Sequence, residues 1–185
     1  GVSNTPVIDF LLSCGASVVG RDKKDADALG TLADTLAEKG VDLRLGEQYL
    51  DDLCEDVIFK APGIRPDLPE IKAAVDSGAV LSSEMELFLS WQPCPVYAIT
   101  GSDGKTTTTT LTSLMLKAGI EESGKGKVFL GGNIGEPLLH RYPLITENDA
   151  VAVELSSFQL MTMTKSPHIC VVTNLSPNHL DVHKD

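Results

Sequence analysis

Thr100-Gly101-Ser102-Asp103-Gly104-Lys105-Thr106-Thr107 decides how the rest of the chain is read. Val96-Tyr97-Ala98-Ile99 precedes it, apolar and partly β-branched, with Pro93 and Pro95 on its N-terminal side. That run predicts a buried strand. Leu111, Leu114, Met115 and Ala118 follow at helical spacing, with Gly119 as the expected stop. The stretch between is therefore a turn that opens a helix. At such a turn several backbone N–H groups have no partner in the fold, and the positive end of the helix dipole adds to them. An anion fits there. Lys105 brings a full positive charge for a terminal phosphate, and Thr106 offers a hydroxyl to a phosphate-bound Mg²⁺. Gly101 through Thr107 are the candidate phosphate-binding residues.

The general phosphate-loop pattern, G-x-x-x-x-G-K-[ST], asks for glycine at position 99. This chain has Ile99, and its first glycine comes at Gly101. The competing reading is a fortuitous Gly-Lys-Thr at a helix start; the order of strand, turn and helix argues against it. Thr106 to Thr110 are five consecutive threonines. They are poor helix formers, so something other than propensity selects at least the first one or two.

With 185 residues and 42% hydrophobic content, the chain suffices for one ordinary domain or two small ones. Its net charge of −11 argues against nucleic acid or an anionic membrane as the main partner. A polyphosphate must then be held by local N–H groups, a lysine and metal. Cys14, Cys54, Cys94 and Cys170 are dispersed, with no C-x-x-C pair. Cys14, Cys54 and Cys170 lie among apolar residues and are expected to be buried free thiols; a zinc site is not expected, and a reducing cytoplasm fits. No apolar run approaches the length of a membrane span, and no signal peptide pattern is visible. The chain opens at Gly1 without a methionine and closes on a charged stretch, so it reads as a fragment of a longer enzyme.

Along the chain, Ser3-Asn4-Thr5-Pro6 followed by Val7, Phe10, Leu11 and Cys14 predicts a capped helix. Residues 17–20 form a short strand that runs into Arg21-Asp22. An acidic residue at that point is a ligand contact in many α/β units and equally a plain solvated turn residue; spacing leaves both open. Helices are expected over 27–39 and 67–78, and strands over 43–45, 57–59 and 79–81, with a further capped helix from Ser82. Lys60-Ala61-Pro62-Gly63-Ile64 follows the 57–59 strand, at the ligand edge of a parallel sheet. This alternation predicts a doubly wound, Rossmann-like α/β domain over residues 1–92 whose opening strand is missing. Gln92-Pro93-Cys94-Pro95 is the linker, and a P-loop-type ATPase domain, truncated, occupies 93–185.

Within that second part, a strand over 127–130 runs into Gly131-Gly132-Asn133-Ile134-Gly135. The glycines suit a loop whose backbone lies close to a ligand, although Gly-Gly-Asn by itself favours a bare turn. The apolar strand over 150–155 carries Glu154, and a buried carboxylate needs a cation or a metal. Thr106 and Glu154 fall at strand ends of one sheet, so a shared Mg²⁺ is expected. Ser156-Ser157-Phe158-Gln159 supplies helix caps or ligand contacts, and chemistry does not separate the two. A last strand over 169–173 leads to Asn174, Asn178, His179 and Asp181. His179 in that loop has a metal or phosphate role or a structural one. His140, His168 and His183 read as surface residues.

Thr-Gly-Ser-Asp-Gly-Lys-Thr, Gly-Gly-Asn-Ile-Gly, Glu-Leu-Ser-Ser-Phe-Gln-Leu and Asn-Leu-Ser-Pro-Asn-His-Leu-Asp, in that order and spacing, resemble the Mur ligase family. The phosphate loop of that family lacks the outer glycine, which accounts for Ile99. The run after Glu154, with the opening Ser-Asn and Asp22, is most similar to members that add D-glutamate to UDP-N-acetylmuramoyl-L-alanine. The resemblance covers the first domain and the front of the central domain. It implies ATP-dependent amide-bond formation through an acyl phosphate, in peptidoglycan precursor synthesis. By position it implies that Gly101 to Thr107 hold the ATP phosphates, with Lys105 on the terminal one. Thr106 and Glu154 would hold Mg²⁺, and His179 would lie at a second metal beside the carboxylate being activated. Asn133, Asp22 and Ser157 would contact the nucleotide-sugar substrate. A monomer in the cytoplasm is the expected state, with no nucleic acid or membrane partner.

The departures bear on the same residues. Asp103 stands where such members often carry asparagine, and Lys23-Lys24 replace a Thr-Arg pair. The family's metal-bridging lysine and C-terminal domain fall outside the sequence, so the fragment alone is expected to be inactive. Another Mur-type or folylpolyglutamate-like ligase stays open as an alternative. So does a P-loop nucleotide-binding module that performs no ligation.

Overall fold

A computed structural model describes residues 4–180 of the chain. They fall into two compact units, Gly1–Glu84 and Met85–Asp185. The first contains α1 (Thr5–Ser13), β1 (Val19–Asp22), α2 (Ala26–Leu29), α3 (Thr31–Glu38), β2 (Asp42–Leu45), β3 (Val57–Phe59), α4 (Pro69–Asp76) and β4 (Val80–Ser82). The strands pair in parallel as β1–β2 and β3–β4. They form two separate two-stranded sheets rather than the single doubly wound sheet expected. Among the described residues no strand hydrogen-bonds to both pairs. Parallel strands need crossover connections, and α2–α3 and α4 provide them here.

Local chemistry explains where these elements start and stop. Asp25 accepts a 2.8 Å hydrogen bond from the Ala28 N–H and caps α2. The helix expected over 27–39 is broken at Gly30 into α2 and α3. Asn4 precedes α1 but makes no capping bond. Its side-chain amide donates instead to the Phe59 carbonyl at 2.8 Å and ties the start of α1 to the end of β3. Val18, Leu36 and Val41 form the buried centre of one cluster, with Ile8, Leu11, Leu12, Leu32 and Leu43 against it. Arg21 bonds the Glu55 carboxylate through two nitrogens and the carbonyls of Tyr49, Asp51 and Asp52, which fixes the loop after β2.

The second unit begins within α5 (Glu84–Trp91). It continues with β5 (Val96–Thr100), α6 (Lys105–Ser123), β6 (Val128–Gly132), α7 (Leu138–Arg141), a 3₁₀ turn at Tyr142–Leu144, β7 (Ala150–Glu154), α8 (Ser157–Leu160) and β8 (Ile169–Val172). Its sheet is parallel throughout, in the order β6-β7-β5-β8. Every residue of β7 is buried, as an interior parallel strand requires. Met85, Phe88 and Leu89 of α5 join Val96, Ala98, Val151, Val153 and Leu155 in its core. Each of these valine, leucine, methionine and phenylalanine side chains contributes about 1.5–3 kcal/mol on burial. The division between units falls at the start of α5, between Glu84 and Met85, whereas the prolines suggest a boundary at 92/93. Pro93 and Pro95 interrupt regular backbone but not the packing of the helix that precedes them.

Two sequence expectations are corrected here. First, α6 does not stop at Gly119 but runs to Ser123 and ends at Gly124. Its apolar stripe is not its core face: Leu111 and Leu114 are each 54% exposed and Met115 is 67% exposed. The buried residues are Thr109 and Ser113, small side chains that let the helix lie close on the sheet. Second, Cys14, Cys54 and Cys170 are exposed and Cys94 is the buried thiol. Cys14 follows the last turn of α1, Cys54 lies in a loop, and Cys170 belongs to β8, which has β5 on one side only. No helix among the described residues is long and apolar enough to cross a membrane.

Candidate functional site

Parallel pairing brings the candidate residues to the carboxyl ends of β5, β6 and β7. Ile99 of β5 lies opposite Glu154 of β7, which in turn lies opposite Gly132 of β6. Ile99 is fully buried strand, and this is why the loop's first glycine comes later. That glycine is Gly101, with φ +135°. A Cβ there would overlap the Thr173 hydroxyl and crowd the backbone of Asn174. Gly132 has φ +92°, and a Cβ on it would overlap the Glu154 carbonyl. Both positions require glycine for their backbone angles and for close approach.

Gly101 to Gly104 form the turn between β5 and α6, in the order of strand, turn and helix that the sequence suggests. Gly104 precedes α6, and the N–H groups of Gly104, Lys105, Thr106 and Thr107 donate to no described group. Four successive amides at the positive end of a 19-residue helix are thus available to an anion. The Lys105 ammonium lies back over the loop, donating to the carbonyls of Gly101 at 2.7 Å and Ser102 at 2.9 Å. The threonine run has local explanations: Thr109 and Thr110 hydroxyls bond the carbonyls of Lys105 and Thr106, four residues back.

Glu154 is 2% exposed. Its Oε2 accepts a 2.7 Å hydrogen bond from the Thr106 hydroxyl, and its Oε1 accepts one of 3.0 Å from the Asn133 amide. The Asn133 backbone N–H also donates to the Glu154 carbonyl at 2.8 Å. No ion pair to Glu154 occurs among the described residues, so both partners of this buried carboxylate are neutral. A buried charge balanced only by dipoles is short of a cation. The hydroxyl and carboxylate oxygens of Thr106 and Glu154 are hard donors of the kind Mg²⁺ takes, and the pair fits that ion.

The segment after β8 clips the turn between β5 and α6 from the other side. Asn174 reads Asp103 with its whole amide: its Oδ1 accepts from the Asp103 N–H at 2.9 Å and its Nδ2 donates to the Asp103 carbonyl at 3.0 Å. The Thr173 hydroxyl donates to the same carbonyl at 2.6 Å. Ser102 Oγ donates to the Ser176 carbonyl and accepts from the Ser176 N–H, both at 2.8 Å. The Ser102 N–H donates to the Asn174 carbonyl at 3.1 Å. The amides of Ser102 and Asp103 are consequently committed to the clip, while those from Gly104 to Thr107 stay available.

The remaining candidates lie as follows. His179 is exposed, has φ +52°, and its ring lies 5.0 Å from that of Phe158. No group of three or more His, Cys, Asp or Glu side chains is placed to hold a metal among the described residues, so His179 does not form such a cluster with Glu154. Ser157 is the first residue of α8; the cap is Ser156, in a reciprocal capping box with Gln159. Asp22 ends β1 and its Oδ1 accepts from the Lys24 N–H at 3.0 Å. Partial burial works to raise the Asp22 carboxyl, but that N–H and the Lys24 charge help hold it below its ordinary range. His168 Nδ1 accepts the Val96 N–H at 3.1 Å, His140 is exposed, and His183 lies outside the described residues. Sequence reasoning missed the Asn133–Glu154 bond and the whole Asn174 clip. Their only sequence signal is asparagine just beyond a strand end.

Residues 99–185 match the Mur ligase middle domain. A protein of Clostridium kluyveri named UDP-N-acetylmuramoylalanine–D-glutamate ligase is 54% identical over 186 residues, covering 100% of this chain and 40% of its own length. One of the same name from Clostridium botulinum is 55% identical with the same coverage. The chain thus spans about two fifths of the length of these curated relatives. Among solved structures, the UDP-N-acetylmuramate:L-alanyl-gamma-D-glutamyl-meso-diaminopimelate ligase of Neisseria meningitides is 22% identical, with TM-score 0.46, over 95% of this chain and 58% of that one. Since more than half of its residues are shared with the clostridial proteins from end to end, the chain belongs to the Mur ligase family.

Proposed function

We propose that this chain is the ATP-phosphate-binding and nucleotide-sugar-binding part of a ligase that adds D-glutamate to UDP-N-acetylmuramoyl-L-alanine. The family is one of ATP-dependent, amide-bond-forming ligases, and the names of the clostridial relatives supply the substrates. The observation that carries the reading is the Thr106–Glu154 contact, at 2.7 Å, beside four unclaimed loop amides.

In this reading the amides of Gly104 to Thr107 take the phosphate oxygens of ATP. Lys105 exchanges the Gly101 and Ser102 carbonyls for the terminal phosphate. Its ammonium is within reach of the loop already, so the exchange needs only side-chain rotation. Thr106 and Glu154 would hold Mg²⁺, which when bound supplies charge neutralisation between phosphates. Asn133 keeps the Glu154 carboxylate turned toward Thr106. His179, positioned by Phe158, acts near the substrate carboxylate that receives the phosphoryl group to become an acyl phosphate. The amine of D-glutamate then displaces phosphate. The chain contributes position and charge stabilisation, as phosphoryl transfer requires. In the first unit Asp22 contacts a hydroxyl of the nucleotide sugar; in the second, Asn133 and Ser157 offer further polar contacts to substrate. The protein works in this reading as a cytoplasmic monomer without nucleic acid or membrane.

The test is phosphate release from ATP by the full product of the gene that encodes this chain. Release should require UDP-N-acetylmuramoyl-L-alanine and D-glutamate together. Equal release with L-lysine in place of D-glutamate would refute the assignment.

A further inference from the structure

Ser102 is the second residue of the turn between β5 and α6, and each of its polar groups is already engaged. Its N–H donates to the Asn174 carbonyl at 3.1 Å. Its carbonyl accepts from the Lys105 ammonium at 2.9 Å. Its hydroxyl donates to the Ser176 carbonyl and accepts from the Ser176 N–H, both at 2.8 Å. The Thr173 N–H donates to the Thr100 carbonyl at 2.9 Å, so Ser102 carries on the β5–β8 ladder after both strands have ended. A serine hydroxyl has one proton, here taken by Ser176, and a phosphate oxygen would need that same proton.

Ser176 lies just ahead of His179, in a segment that packing does not hold. Every residue from Asn174 to Leu180 is exposed, Leu175 by 88%. With no side chain in the core, the stretch is fixed by polar bonds and by one ring contact. His179 nevertheless has φ +52°, in the left-handed region that few residues other than glycine occupy. Such a conformation persists where its neighbours over-determine it. The His179 N–H donates to the Asn178 side chain, which is a local bond, and the His179 ring lies 5.0 Å from that of Phe158. Among the described residues, the Ser102–Ser176 pair is the backbone tie to the rest of the unit that lies nearest to His179.

We infer that Ser102 is a positioning residue for His179: its hydroxyl fixes Ser176, and with it the backbone that carries the imidazole to the substrate carboxylate. The task of His179 rests on the proposed function above; the tie between Ser102 and Ser176 does not. Ser102 is then no ligand of the triphosphate, although it lies in the stretch that the sequence marks for phosphate. Through its carbonyl it also meets Lys105, so one residue joins the ammonium to the segment of the imidazole.

The experiment uses Ser102→Ala, which removes the tie, and Ser102→Cys, which keeps the shape and weakens both bonds. In this chain the imidazole proton signals of His179 are recorded by NMR and identified by their loss in His179→Gln. The Phe158 ring displaces them in the parent, and Phe158→Leu gives their position without that ring. Mg²⁺-ATP is titrated calorimetrically, and kcat and KM are measured for the same variants of the full gene product. In Ser102→Ala the signals should move most of the way to their Phe158→Leu position, with Ser102→Cys in between. Affinity for Mg²⁺-ATP should stay within about twofold of the parent, because Asn174 still holds Asp103. In the full product kcat should fall about tenfold or more, with KM for ATP unchanged. Ser102→Thr, which keeps the hydroxyl, should restore both the signals and kcat. Unmoved His179 signals in Ser102→Ala overturn the inference, and if that variant does not fold, unmoved signals in Ser102→Cys do so. A tenfold loss of Mg²⁺-ATP affinity with the signals in place overturns it too, by making Ser102 a phosphate ligand. Moved signals with parent-like kcat sustain the positioning and contradict the role proposed for His179 instead. An inactive parent contradicts the proposed function, and the His179 signals still decide the role of Ser102.

Discussion

The Thr106 hydroxyl donates to Glu154 Oε2 at 2.7 Å, joining the first turn of α6 to the end of β7 across 48 residues of sequence. One partner belongs to an exposed residue and the other is 2% exposed, so the bond runs from the surface of the site to its floor. Thr106→Val removes the hydroxyl at nearly constant shape. It should cost about 1–3 kcal/mol, because Glu154 keeps only the Asn133 amide while staying buried. Denaturant unfolding monitored by circular dichroism measures this. A Thr106→Val protein as stable as the parent would mean that the carboxylate does not depend on this contact.

Gly101→Ala should be more damaging than its size suggests. The added methyl meets the Thr173 hydroxyl and the Asn174 backbone, at a φ that L-residues rarely adopt. The clip between the β5–α6 turn and the segment after β8 must then open. Asn174→Ala opens it differently, by freeing the Asp103 N–H and carbonyl. Both variants should keep their far-ultraviolet spectrum, lose ATP affinity by tenfold or more, and show faster amide exchange at residues 101–104. Parent-like exchange in both would show that the clip does not hold the loop.

Much of this was readable in advance. The strand over 96–100 follows from apolar residues ahead of a glycine turn, and a carboxylate ending the run Ala150-Val151-Ala152-Val153 marks Glu154 as unusual. Asn133 and Asn174 were not readable as partners of Glu154 and Asp103, because those bonds depend on which strands become neighbours. The order β6-β7-β5-β8 sets Asn133 beside Glu154 and Asn174 beside Asp103, and local sequence does not encode that order. Helix α6 misleads for another reason. Its 3.6-residue pattern gives two plausible faces, and small residues at 109 and 113 win the sheet over Leu111 and Leu114. The apolar neighbours of Cys14, Cys54 and Cys170 say nothing about whether a chain end of a helix, a loop or an edge strand is covered.

Asp149 predicts a pH dependence. It is buried and accepts hydrogen bonds from the Lys127 N–H, the Thr146 N–H and the Thr146 hydroxyl. Burial works to raise its carboxyl, but these bonds and the Lys127 charge outweigh that and hold it below its ordinary 3.8. A folded-state value below the unfolded one stabilises the protein above the unfolded value, and that stability is lost as pH falls through the folded value. Asp149→Asn should therefore cost about 1–2 kcal/mol at pH 7, with the difference from the parent shrinking once the pH is taken below 3.8. Urea unfolding at several pH values reads it; a gap that widens in acid would contradict the assignment.

The cysteines should separate by reactivity. Burial, together with the Asp149 charge, pushes the Cys94 thiol up to about 11, whereas Cys14, Cys54 and Cys170 are exposed. A thiol reagent at pH 8 should label those three rapidly and Cys94 only after unfolding. Rapid labelling of Cys94 in the folded protein would place it outside the core described here.

The most direct measurement is a calorimetric titration of this chain with ATP, with and without Mg²⁺, alongside Lys105→Ala and Glu154→Gln. The account predicts binding that Mg²⁺ strengthens. Lys105→Ala should abolish that binding while leaving the fold intact, and Glu154→Gln should retain weak binding that no longer responds to Mg²⁺. Parent-like affinity in Lys105→Ala, or an unchanged Mg²⁺ response in Glu154→Gln, would contradict it.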